Sequence, residues 1–129
     1  MPIMRNPESV SPPVGGYSHG LEIKPGSRYL FISGQIPEEP NGYVPNDFES
    51  QCKMVWKNIE EILKSSGMTY QNLVKVTTYL THPDQAEKNG EIRRRLIGIH
   101  RPALTVVVVQ TLHSKWLLEI EAIAASENE

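Results

Sequence analysis

Cysteine is almost absent. Cys52 stands alone in 129 residues, so no intrachain disulfide is available and a reducing compartment suits the chain. Long apolar runs are missing as well. The longest, Ala103 to Val109, is interrupted by Thr105 and falls far short of the ~20 residues that span a bilayer. The opening, MPIMRNPESV, has no apolar segment of the kind that directs secretion. Neither charge is in excess: a formal net charge of −2 gives no general attraction to nucleic acid or anionic membrane. No internal repeat or low-complexity segment occurs. The hydrophobic share, 39%, is enough for one core. The expectation is a single domain over residues 1–129, without a membrane segment, in the cytoplasm.

What is present is mostly periodicity. Residues 1–16 are rich in Pro, Ser and Gly and read as an irregular N-terminal arm. Two short strands are expected at Ser18 to Ile23 and Arg28 to Ser33, joined by the turn signal KPGS. After the loop GQIPEEPNGYVP, the spacing of Phe48, Cys52, Val55, Trp56, Ile59, Ile62 and Leu63 predicts a helix over Asn46 to Gly67 with one buried face. Asn46 and Glu49 fit a capping box, and Gly67 supplies a stop. Cys52 falls in the apolar stripe, which makes it a small buried hydrophobe rather than a nucleophile. Alternation over Leu73 to Thr81 predicts a strand. A second helix runs from Pro83 to about Gly98, with Gly90 inside it at a cost of about 1 kcal/mol relative to alanine. Strands at Leu104 to Thr111 and Trp116 to Ala124 complete an order β-β-α-β-α-β-β, an α+β layering with helices over one face of a mixed sheet.

Two stretches raise questions of function. HRPALTVVVVQTL (100–112) holds four consecutive valines, a pattern for a strand covered on both faces. In WLLEIEAIA (116–124), Trp116, Leu118, Ile120, Ala122 and Ala124 share the face that receives the helices. Leu117, Glu119, Glu121 and Ile123 share the other, too apolar to be an ordinary solvated surface. Such a sheet usually meets another copy of itself, so a homo-oligomer with a ligand cleft between subunits is expected. Glu119 and Glu121 lie on one face roughly 7 Å apart, and carboxylates beside apolar surface are suited to moving protons. The plainer alternative is that both are surface charges paired with lysine or arginine.

Other signals are weaker. His19, His82, His100 and His113 are scattered without metal-ligand spacing, so no metal is expected. EIRRRL (91–96) reads as a solvated or interface face of a helix rather than a nucleic-acid patch. GGYSHG lacks the lysine and helix of a phosphate loop, and no Ser-His-Asp triad can be assembled.

GGYSHG, LFISGQIP, Gln51 and Asn58 on the first helix, ILKSSG, LVKVTTYL, Asn89, RPALTVVVV and LEIEAIA together resemble the RidA/YjgF family, also called endoribonuclease L-PSP, over about Val14 to Ala124. The resemblance implies a chorismate-mutase-like α+β fold: a six-stranded mixed sheet with two helices on one face, assembled as a homotrimer with clefts between subunits. It implies hydrolysis of reactive imines and enamines to 2-keto acids and ammonia without a cofactor. By the same resemblance Tyr17, Ser33 and Glu119 are catalytic, Glu119 handling the water, while Asn89 and Thr105 bind substrate.

One position departs from the pattern. Where the family carries the arginine that clamps the substrate carboxylate, this chain has Leu104, and Val106 stands where a cysteine is frequent. Leucine cannot make the bidentate contact. Arg101, the arginines of the 93–95 run or Lys115 are the available replacements. The expected function is therefore hydrolysis or binding of a reactive imine, enamine or related metabolite, with ordinary 2-iminoacid deaminase activity in doubt. The alternatives are a non-catalytic trimer that binds a metabolite or a partner, and an endoribonuclease or translation inhibitor, which the acidic balance disfavours. The expected partners are the chain itself and a small molecule, with neither membrane nor nucleic acid.

Overall fold

Helix α1 (Phe48–Lys64) forms where the apolar stripe predicts it, and Cys52, Val55, Trp56, Ile59 and Leu63 on that stripe are fully buried. A computed structural model of the chain describes residues 2–127. The N-cap is Asp47 rather than Asn46: its carboxylate accepts the Ser50 amide at 2.9 Å, which puts Glu49 one position too early for a capping box. Helix α2 (Ala86–Ile97) follows a single 3-10 turn at Pro83–Gln85, and ends at Gly98, whose φ of 64° favours glycine.

Six strands form, but not in one sheet. β1 (Ile3–Arg5) pairs antiparallel with β2 (Gly20–Glu22) as a separate ribbon. The remaining four, β3 (Arg28–Gln35), β4 (Leu73–Leu80), β5 (Ala103–Val108) and β6 (Leu118–Ser126), make a mixed sheet in the order β3-β6-β4-β5. Only β4 and β5 are parallel, joined by α2 as the crossover. The arm over residues 1–16 is thus not wholly irregular. Its three-residue strand is exposed throughout and held by an Arg5–Glu22 ion pair at 2.8 Å, a segment too short for periodicity to announce. A single parallel bridge between Ser18 and Ala103 ties the ribbon to the β5 edge, with the Ser18 amide on the Pro102 carbonyl at 3.0 Å.

The sheet has two unlike faces. Ile32, Val76, Leu80, Leu118, Ile120, Ala122 and Ala124 are buried with α1 and α2 in the core. The opposite face is open and carries Tyr29 at 51% and Phe31 at 74% exposure, together with Lys75, Tyr79, Glu119 and Glu121. Within one chain the valine strand is not covered on both sides. β5 is an edge strand, and Val106 to Val109 are 37–50% exposed: Val107 is on the open face with Tyr79, and on the helix side only Leu104 of this strand packs against the core. β5 also stops at Val108, with only the Val109 amide bonding onward to the Leu80 carbonyl at 2.7 Å. The link to β6 is a loop braced by Thr111, whose hydroxyl donates to the His113 and Trp116 carbonyls. Gln51 of α1 anchors the same loop through the Lys115 carbonyl and the Leu117 amide, both at 2.8 Å.

Candidate functional site

Strand pairing decides which expected site residues can meet. Leu104 is in register with Val76, a core residue, so it faces the helices; Glu119 is in register with Tyr79 on the open face. The two lie on opposite sides of the same sheet and cannot touch one small molecule within a single chain.

The open-face half centres on Glu119. Between Ile32 and Gln35 the β3–β6 register shifts, which places Gly34 directly beneath the Glu119 side chain. A Cβ on Gly34 would come within 1.9 Å of Glu119 Oε2, so any side chain here would push the Glu119 carboxylate out of this position. Gly34, Tyr79, Glu119, Glu121 and the loop residues Val109 to Leu112 line an open cavity of about 470 Å³. Tyr79 donates its hydroxyl to Glu121 Oε1, and this bond, with burial and the Glu121 and Glu119 charges behind it, pushes the phenol pKa up. Lys75 donates to Thr105 Oγ1 at 2.7 Å, its pKa lowered by burial against the pull of Glu121. Among the described residues no lysine or arginine pairs with Glu119, so the reading of both glutamates as salt-bridged surface charges does not describe it. Ser33 is exposed within β3 where the register shifts, its carbonyl accepting from the Gln35 side chain at 3.1 Å.

The helix-side half is a second cavity of about 310 Å³. Val14, Tyr17, Ala86, Asn89, Gly90, Arg93, Arg94, Leu104 and Val106 line it. Tyr17 is half-buried and stands edge-on to His19 with ring centroids 5.8 Å apart. Asn89 is buried at 1% exposure and faces the Cys52 thiol, 3.9 Å from its Oδ1. Burial pushes that thiol up to about 12, which fits its role as a core residue. Thr105 does not belong here, because it points to the open face with Lys75. Arg101 is also outside the lining, its Nη1 donating to the Gly98 carbonyl at 2.8 Å and the His100 carbonyl at 3.2 Å.

The 93–95 run splits. Arg95 is exposed and pairs with Glu91 at 3.0 Å, as a solvated face should. Arg93 is 4% exposed and turns inward. The spacing held the signal: Arg93 lies one helical turn beyond Asn89, as Arg94 does beyond Gly90. Among the described residues no three His, Cys, Asp or Glu side chains gather as a metal site, and no helix is long and apolar enough to cross a membrane.

Known proteins resemble this chain along nearly its whole length. The family model described as Endoribonuclease L-PSP matches residues 8–126. A RutC family protein of Pyrococcus horikoshii is 38% identical over 122 residues, 93% of this chain and 94% of its own. TdcF of Escherichia coli, whose name describes a reactive intermediate deaminase, is 30% identical over 86% of this chain and 87% of its own. Among crystal structures, YyfB of Yersinia pestis, of the Rid protein family, superposes with a TM-score of 0.86 at 31% identity, covering 97% of this chain and 98% of its own. TdcF with bound serine gives 0.73 at 29% identity, covering 95% and 94%. The expected mixed α+β fold with two helices on one face of its main sheet is the fold of these proteins. From its N-terminal ribbon to its last strand, this chain belongs to the endoribonuclease L-PSP family, the family of the Rid and RutC proteins.

Proposed function

We propose that the protein is a cofactor-free hydrolase of reactive imines or enamines, working in a cleft built between copies of the chain, three in the closed assembly. The observation that carries this reading is Glu119, a carboxylate with no cationic partner among the described residues, held over Gly34 in an open cavity. Such a group can take a proton from water as the water oxygen attacks the C=N carbon. The nitrogen, protonated in turn, leaves as ammonia, so imine and water give a carbonyl compound and ammonia with no redox change. TdcF, a relative named as a reactive intermediate deaminase, has been crystallised with serine, a small amino acid. The apolar open face, with Phe31 74% exposed, and the uncovered valines of β5 support an assembly that brings the Glu119 half of one subunit to the Leu104 half of the next. One buried thiol suits a reducing cytoplasm.

Leu104 favours a second reading, a trimer that binds a metabolite without turning it over. Ribonuclease action, to which the family's description points, finds little support in a net charge of −2 and in a basic run whose Arg95 is already paired. The deciding experiment generates 2-imino acids in situ with an amino-acid oxidase and compares the wild type with Glu119→Ala. We expect accelerated hydrolysis that falls by roughly 10²–10⁴ in the variant. No acceleration by folded wild type would leave the binder as the better reading.

A further inference from the structure

The helix-side cavity holds two arginines and no carboxylate. Arg93 is 4% exposed; its Nη2 donates to the Gly15 carbonyl at 2.5 Å, and its Nε is buried without a partner. A guanidinium in that setting is costly for the fold, because burial and the neighbouring Arg94 and Arg101 charges all disfavour it. Two other cations on α2, Arg95 and Lys88, are balanced. Arg95 pairs with Glu91, and Lys88 with Glu49 and Glu91 at 3.6 Å each. Among the described residues Arg93, Arg94 and Arg101 have no carboxylate partner and converge on the Gly15–Gly16 turn. Gly90 adds a second sign of construction: a Cβ there would lie 2.8 Å from Arg94 Nη1, so the bare helix surface is where the Arg94 guanidinium rests.

We propose that Arg93, assisted by Arg94, is the carboxylate clamp of this cleft, supplying from α2 a cation that the leucine at position 104 cannot. This rests on the reading of the cleft as a site for small imino or oxo acids. The lining also indicates the rest of the ligand. Leu104 and Val106 present an apolar wall on β5, so a 2-imino or 2-oxo acid with an aliphatic side chain would set its carboxylate against α2 and its chain against the strand.

The test is calorimetric titration of the full-length protein with 2-oxobutyrate, and with 2-butanone as its uncharged counterpart. We expect binding of the acid and not of the ketone. Arg93→Met should weaken the acid about thirty-fold or more, and adding Leu104→Arg to that variant should recover most of the loss. If Arg93→Met does not fold, Arg93→Lys combined with Arg94→Gln carries the test, with a loss of about ten-fold or more expected because lysine cannot reproduce the fork. Unchanged affinity in a folded variant, equal binding of the ketone, or no binding of 2-oxobutyrate by folded wild type would overturn the clamp. The two readings fail separately. Imine turnover with an affinity indifferent to position 93 sinks the clamp alone, and Arg93-dependent binding without turnover sinks the hydrolase alone.

Discussion

Cys52 and Arg93 are both buried, and their spacing announces the first far more plainly than the second. The thiol sits in the α1 stripe, is fully buried, and is pushed from 9.0 to about 12 by burial. A group with a raised folded pKa keeps its proton in the folded state while the unfolded chain loses it. Stability is therefore full below the unfolded value and declines as pH rises from about 9 towards 12, by at most ~1.4 kcal/mol per pH unit for one proton. We expect the native thiol to be silent to a disulfide reagent at pH 8 and to react once the chain is denatured. The stability difference between wild type and Cys52→Ala should narrow above pH 9; rapid labelling of the native protein would contradict the burial. The 93–95 run was among the candidate cations, but three consecutive arginines look like a solvated stripe, and only the helix phase separates the inward Arg93 from its neighbours. Leu104 was legible as an apolar residue at the head of β5, whereas the proposed clamp lies one helix away, where linear order does not place it.

At the level of elements, strong periodicity carried the reading and weak local chemistry misled it. The α1 stripe and the alternation in β4 and β6 place the core face correctly, because burial of one face sets both patterns. The N-cap was missed by one residue, since Asn46 and Asp47 are both competent caps and only the Ser50 amide decides between them. The six-stranded sheet became four strands and a ribbon because β1 and β2 have three residues each, and their pairing depends on the tertiary course of the arm. Gly90 shows an element bent to the site. In a helix interior it is inferior to alanine, and its backbone has no positive φ to excuse it. We predict that Gly90→Ala raises stability by up to ~1 kcal/mol, roughly 3–6 °C in melting temperature, while displacing the Arg94 guanidinium and weakening 2-oxobutyrate several-fold. Thermal melting and calorimetry on the same variant check both halves. A gain in stability with unchanged affinity would mean that Arg94 does not contribute to the clamp.

The whole molecule poses a geometric problem that no single residue answers. Glu119 and Leu104 occupy opposite faces of one sheet, so a cleft that uses both draws on two subunits. In the cyclic trimer proposed above, each cleft would join the helix-side half of one copy to the open-face half of the next. A subunit with Leu104→Glu spoils only the first half, by placing an acid against the arginines, and a subunit with Glu119→Ala spoils only the second. Each variant alone should be inactive. Unfolding the two together in equal amounts and refolding them gives mixed trimers in about three-quarters of cases, each with one intact cleft of three, so about a quarter of wild-type turnover should return. Sedimentation confirms the assembly, and the oxidase-coupled assay reads the recovery. A mixture no more active than its components, with trimers formed, would mean that the two halves do not meet across a subunit boundary, and the cleft would have to be sought on one face of the sheet alone.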